Sequence, residues 1–177
     1  MRTLCLAHRA TPLGEMLLAS EGEALVGAWF AGQRYYAVGI SEGVYKESPA
    51  IRVANAWLSA YFGGECPDTS ELPPLAPVGT PYREAVWKLL RDIPFGQTTT
   101  YGSIAHALRH SGRKASAQSV GQAIGHNPIS IMIPCHRVIG ATGTLTGYAG
   151  GAARKQWLLQ HESNYPLTLC STTSRPS

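Results

Sequence analysis

Cys135 follows a proline and directly precedes His136 and Arg137, in the run Asn127-Pro128-Ile129-Ser130-Ile131-Met132-Ile133-Pro134-Cys135-His136-Arg137-Val138-Ile139-Gly140. Cationic neighbours favour the thiolate, the nucleophilic form of cysteine, so this spacing marks Cys135 as a candidate nucleophile. The competing reading is a cysteine packed as a small hydrophobe at the end of an apolar run. Successive residues of extended chain point to opposite sides. His136 therefore reaches the sulfur only if the chain turns between them or a water bridges, and a water relay is the more economical expectation. A histidine working as a base also needs a group to set its tautomer, and Glu162 is the only acidic residue after Asp92. A solvated carboxylate at a helix end is the other reading of Glu162.

The chain that must position these residues has 177 residues, 44% of them hydrophobic, enough to bury a core as one domain or two small ones. No run approaches the roughly 18 apolar residues of a membrane helix, and the first nine residues break before any signal-peptide apolar stretch, so a cytoplasmic protein is expected. Cys5, Cys66, Cys135 and Cys170 lie far apart with no C-x-x-C spacing. That argues against a zinc knuckle and a dense disulfide framework, and leaves reduced thiols as the expectation. Cys5 and His8 have no matching ligand pair, so no metal is expected. Charge is uneven: residues 1–78 carry 5 Lys/Arg against 8 Asp/Glu, and residues 79–177 carry 10 against 3. The basic half suits a polyanion, nucleic acid above all, or is simply a solvated basic surface.

Three short apolar segments, 4–7, 16–19 and 24–30, separated by turn-rich pieces, predict a small antiparallel meander. Ser48-Pro49 caps a helix in which Ile51, Ala54, Trp57, Leu58 and Tyr61 recur at helical spacing until Gly63-Gly64. Four prolines between Pro67 and Pro77 read as a linker, placing a boundary near residue 78. Beyond it, Thr80-Pro81 caps a helix ending before Pro94, and a second short helix runs from Gly102 to Leu108. After the basic loop Arg109-His110-Ser111-Gly112-Arg113-Lys114, Ser116 caps a third, with Val120 and Ile124 inward and Ala117, Gly121 and Ala123 small. Two short helices in succession, the second lined with small residues, suggest a helix-turn-helix, a pattern many helical hairpins share without touching DNA.

Ile133-Pro134-Cys135-His136-Arg137-Val138 resembles the active-site motif of the O6-alkylguanine-DNA alkyltransferases, and the resemblance runs from about Thr80 to Glu162. Tyr101-Gly102, Val120-Gly121, Asn127-Pro128, Gly147-Tyr148-Ala149-Gly150-Gly151 and Arg154-Lys155-x-Trp157-Leu158-Leu159-x-His161-Glu162 follow in the family's order. Thr11-Pro12-Leu13-Gly14 and Tyr61-Phe62-Gly63-Gly64 extend it more weakly into the first half. The resemblance implies an α+β fold: an N-terminal antiparallel sheet with a helix, of ribonuclease H-like roll type, over 1–78, and a mostly helical winged-helix-type DNA-binding domain over 79–165. A flexible tail is expected over 166–177.

It also implies cofactor-free, single-turnover DNA repair, in which an alkyl group passes irreversibly from O6 of guanine in duplex DNA to Cys135; O4-alkylthymine is left open. His136, through a water, would take the thiol proton, Glu162 would orient His136, Asn127 would brace the segment, and the Tyr101 phenol would donate toward the leaving base. Val138, Tyr148, Ala149, Gly150 and Ile124 would line the base pocket. O6 of a stacked guanine cannot reach a buried sulfur, so the nucleotide must be flipped out. Ala117, Gln118, Ser119 and Gly121 of the second helix would then enter the minor groove, with Arg113, Lys114 and Arg137 also on the DNA. Sequence-independent binding by a monomer is the expectation. Gln118 stands where the family usually carries an arginine, and the interval from Tyr101 to Gln118 is a few residues longer than usual; the basic loop is expected to compensate by holding phosphate. A lesion sensor that does not repair is the alternative, and the presence of Cys135 speaks for chemistry.

Overall fold

Strands β1 (Leu4–Thr11), β2 (Gly14–Glu21) and β3 (Ala24–Phe30) form the expected antiparallel meander in a computed structural model that describes residues 4–40 and 42–164. The tail expected over 166–177 lies outside the described residues. A fourth strand, β4 (Val44–Tyr45), pairs parallel to β1 and completes the order β3-β2-β1-β4. Two exposed residues carry no alternation, so the sequence offers no signal for it.

Successive side chains of a strand face opposite ways. Met16, Leu18, Leu25, Ala28 and Phe30 join the main core, while Leu6, Leu17, Ala19, Val26 and Trp29 make a smaller cluster. Helix α1 (Pro49–Phe62) covers the main-core face, burying Ile51, Ala54, Trp57, Leu58 and Tyr61. The Ser48 side chain accepts from the Ile51 N–H at its start, a cap worth about 1 kcal/mol.

The helices of the second half begin as their caps dictate. Thr80 opens α2 (Pro81–Leu90), Thr100 opens α3 (Tyr101–His110), and Ser116 with Ser119 forms a capping box on α4 (Ala117–Gly125). Helices α3 and α4 pack together and α2 packs on both, with Trp87 Nε1 donating to the Ala123 carbonyl at 2.9 Å. Two short parallel strands, β5 (Thr99–Thr100) and β6 (Val138–Ile139), tie the entry of α3 to the residues just after Cys135. Helix α5 (Ala152–Ser163) follows Gly151, whose φ of 91° suits a residue without a Cβ.

The proline-rich segment is not a free linker. Leu25 N–H donates to the Pro74 carbonyl and Ala76 N–H to the Leu25 carbonyl, so the segment bridges to β3. One core runs through residues on both sides of position 78, from Phe30 and Leu58 to Val86, Leu108, Ile124 and Leu158. No helix among the described residues is long and apolar enough to cross a membrane. Among the described residues Cys5 and Cys135 are free thiols and Cys66 is disulfide-bonded, so the expectation of reduced cysteines fails at Cys66.

Candidate active site

The chain reaches Cys135 through a segment braced from two sides. Ala28 of β3 donates its N–H to the Pro128 carbonyl at 2.8 Å and accepts from the Ser130 N–H at 2.9 Å, so the edge of the first sheet templates residues 128–130. Asn127, 3% exposed, accepts from the Ile129 N–H at its Oδ1 and donates from Nδ2 to the Ile133 carbonyl at 2.9 Å. These ties hold Ile131 at φ 71°, a left-handed conformation costly for a β-branched residue. The chain then turns through a single 3-10 turn at Cys135–Arg137.

That turn replaces the extended chain that the residue order suggested. Cys135 is 2% exposed, and its Sγ accepts from Asn127 Nδ2 at 3.1 Å. Burial pushes the thiol up to about 11; the Asn127 hydrogen bond and the Lys155 charge offset only part of it. The expectation that His136 and Arg137 stabilise a thiolate is therefore corrected, because burial dominates and the cation acting on the sulfur is Lys155.

His136 is fully buried. Its Nε2 meets Glu162 Oε1 at 2.6 Å, while its Nδ1 is buried and has no hydrogen-bond partner among the described residues. Burial lowers the imidazole's affinity for a proton, against the pull of Glu162. Glu162, 1% exposed, is a hub rather than a solvated helix-end carboxylate. It accepts from His136, from Arg137 Nε at 2.8 Å and Nη2 at 3.0 Å, from the Tyr61 hydroxyl at 2.8 Å and from the Gly96 N–H at 3.1 Å. Burial alone would raise this carboxyl; His136 and Arg137 outweigh it and hold Glu162 well below the usual carboxylate range.

Arg137, expected on the DNA surface, is 6% exposed and turned inward, its Nη1 donating to the Ile93 carbonyl at 2.6 Å. This is a correction with a clear cause: a buried carboxylate beside a histidine needs a compensating cation, and the bidentate guanidinium supplies it.

Tyr101 opens α3 and donates its hydroxyl to the Thr146 carbonyl at 2.6 Å. Burial, and then Cys135, push its phenol up to about 12. Lys155, whose residue type carried no assigned role in the sequence, is fully buried and donates to the Val138 carbonyl at 2.6 Å and the Thr146 carbonyl at 3.0 Å, with Tyr101 Oη at 3.4 Å. Burial lowers it to about 8. Its only sequence signal is its place in the Arg154-Lys155-x-Trp157 run. Among the described residues no three His, Cys, Asp or Glu side chains come together as a metal site.

Val138, Tyr148 and Ile124 are buried and Ala149 is partly exposed. A cavity of about 270 Å³ lies between Tyr148-Ala149 and the face of α4 carrying Gln118 and Gly121, with Arg34 and Tyr35 at its rim. The Arg34 N–H donates to the Ala149 carbonyl at 3.1 Å, and the Tyr35 ring stacks on His126 at 3.8 Å. These two residues of the 31–40 loop lie next to the expected pocket and were not singled out from the sequence, since nothing local marks them. Gly150 is buried, its carbonyl accepting from Arg154. Ala117 and Gln118 are exposed on the first turn of α4, and Gly121 sits against the Tyr101 ring. Ser119 is partly spent on the capping box and on Tyr82 Oη at 2.6 Å. Arg113 and Lys114 are exposed, whereas Arg109 donates to the Ala115 carbonyl and braces the loop.

The family profile described as "6-O-methylguanine DNA methyltransferase, DNA binding domain" matches residues 81–164. A methylated-DNA–protein-cysteine methyltransferase of Shigella flexneri is 54% identical over 105 residues, 59% of this chain and 59% of that relative's length. One of Haemophilus influenzae is 39% identical over 162 residues, 92% of this chain and 88% of its own. Among solved structures, Mycobacterium tuberculosis OGT in complex with DNA superposes with a TM-score of 0.78 at 38% identity, covering 90% of this chain and 93% of that one. The O6-methylguanine methyltransferase of the same organism gives 0.76 at 38% identity, over 96% of this chain and 100% of that one.

Proposed function

The chain belongs to the methylated-DNA–protein-cysteine methyltransferase family, and on that membership we propose that it repairs DNA by direct reversal, moving an alkyl group from O6 of guanine onto Cys135. The observation that carries the proposal is the buried constellation of Cys135, His136 and Glu162, in which His136 bonds Glu162 through one nitrogen and leaves the other unpartnered.

The thiol is held protonated, so its proton must leave as the sulfur attacks. His136 Nδ1 receives it through a water, and Glu162 stabilises the imidazolium that forms. The S–C bond forms as the C–O6 bond breaks, and the bonding electron pair stays on the guanine oxygen. A proton returned from the Tyr101 phenol, and replaced within the Lys155 cluster, lets the base leave neutral rather than as an anion. The thioether is too stable to hydrolyse, so each molecule acts once.

The base reaches Cys135 only after flipping, which costs a few kcal/mol and least at a weakened pair. Helix α4 enters the minor groove, and phosphate contacts from Arg113 and Lys114 make binding independent of sequence. We assign the first half to a ribonuclease H-like roll, the second to a winged-helix-type unit divided from it near residue 78, and a monomer as the acting form.

Intact-protein mass after mixing equal amounts of protein and a duplex with one O6-methylguanine tests the reading. One added methyl on Cys135, absent in Cys135→Ser, is the expected result. Lesion-selective binding without methyl transfer would replace repair by damage sensing.

A further inference from the structure

Tyr61 sits on α1 and yet reaches into the centre of the site. Its hydroxyl donates to Glu162 Oε1 at 2.8 Å, the oxygen that His136 Nε2 meets at 2.6 Å and Arg137 Nη2 at 3.0 Å. Oε2 carries the remaining two donors, Arg137 Nε and the Gly96 N–H. Three donors therefore share the oxygen that holds the histidine, and one of them belongs to the helix packed on the N-terminal sheet.

We propose that Tyr61 is a positioning residue of the proton relay, its hydroxyl competing with the His136 N–H for Glu162 Oε1 and thereby setting how readily the other nitrogen of His136 takes a proton. The inference rests on the reading above, in which His136 receives the Cys135 proton.

The geometry of Tyr61 suits the role. The residue is fully buried, its ring stacks on Trp57 with centroids 5.5 Å apart and meets Phe95 edge-on, and its carbonyl bonds His161 Nε2 at 2.6 Å. Burial pushes its phenol well above the usual range, in keeping with a hydroxyl that donates to Glu162. The titratable and charged groups facing His136 and Tyr61 are Glu162, Lys155 and His161 from α5, Cys135 and Arg137 from the turn, and Tyr148. Of these, Lys155 is lowered by burial to about 8.

The sign follows from the shared oxygen. Removing the hydroxyl leaves more of the charge on Oε1 for His136, which favours the imidazolium and raises the pH at which the neutral base is lost. The experiment is the pH profile of the methyl-transfer rate constant on an O6-methylguanine duplex, for wild type and Tyr61→Phe. The acid limb of Tyr61→Phe is expected to move up by about half a pH unit, slowing transfer by about threefold on the limb and leaving the rate at pH 8 unchanged. Duplex affinity should stay the same. A 3-fluorotyrosine placed at position 61 alone, a stronger donor of nearly the same shape, should move the limb the opposite way, and it keeps the test open if Tyr61→Phe folds poorly. An acid limb that stays put in whichever of the two proteins folds, or moves against these signs, overturns the proposal. A wild-type protein that transfers no methyl overturns the proposed function instead.

Discussion

Burial holds the Cys135 thiol above its ordinary range, so on the proposed reading its reactivity comes from removing a proton rather than from a resting thiolate. With the thiol pushed up to about 11 by burial, the thiolate fraction keeps rising through the alkaline range. Labelling of Cys135 by iodoacetamide in the absence of DNA should accelerate about tenfold per pH unit between pH 8 and 10. A plateau below pH 9, read by mass spectrometry of the Cys135 peptide, would show a thiolate stabilised by something other than the partners described above. Stability carries the same sign. The folded value lies above the ordinary one, so the thiol's contribution is complete below about pH 9 and is lost as pH rises through about 11. At this scale the sequence singled out Cys135 and His136, because adjacent Pro-Cys-His-Arg is an unusual run of types. It left Glu162 undecided, because a lone carboxylate after a helical stretch looks the same whether it faces water or a buried arginine.

Helix α4 and the turn before it carry the proposed contacts to duplex DNA. The capping box fixes where α4 begins, so Gln118 stands exposed on its first turn at the rim of the cavity. Glutamine can hydrogen-bond an orphaned base but offers neither the charge nor the stacking plane of a guanidinium. Gln118→Arg is expected to speed repair of a duplex substrate in single-turnover assays, and an unchanged rate would show that filling the gap is not limiting. In the turn, Arg109 is committed to the Ala115 carbonyl while Arg113 and Lys114 are free to meet phosphate. Replacing both with alanine should weaken binding uniformly across sequences and reduce the slope of log affinity against log salt by about 2. An unchanged slope would remove the loop from the interface. The helices of this half were legible from their caps, since a Ser or Thr before the first turn satisfies orphan N–H groups whatever the tertiary context. The inward turn of Arg137 was not, because it depends on a carboxylate supplied by α5.

For the whole molecule, the continuity of the core across residue 78 and the pairing of β3 with both the proline-rich segment and residues 128–130 tie the two halves into one cooperative structure. Urea unfolding followed by tryptophan fluorescence and by far-UV circular dichroism should give coincident midpoints. Leu90→Ala, a cavity in the shared core, should lower both midpoints together, for a loss of stability of about 2–5 kcal/mol. Two separate transitions would mean that the halves unfold independently. The sequence by itself determined the meander, the capped helices, the basic second half and the unusual run around Cys135, because periodicity, caps and adjacent residue types are local properties of the chain. Only the tertiary structure decided that Glu162 is buried, that Lys155 rather than Arg137 is the cation acting on Cys135, and that Tyr61 of α1 shares an oxygen with His136. Those outcomes depend on burial and on distances between residues far apart in the chain, which no local pattern encodes.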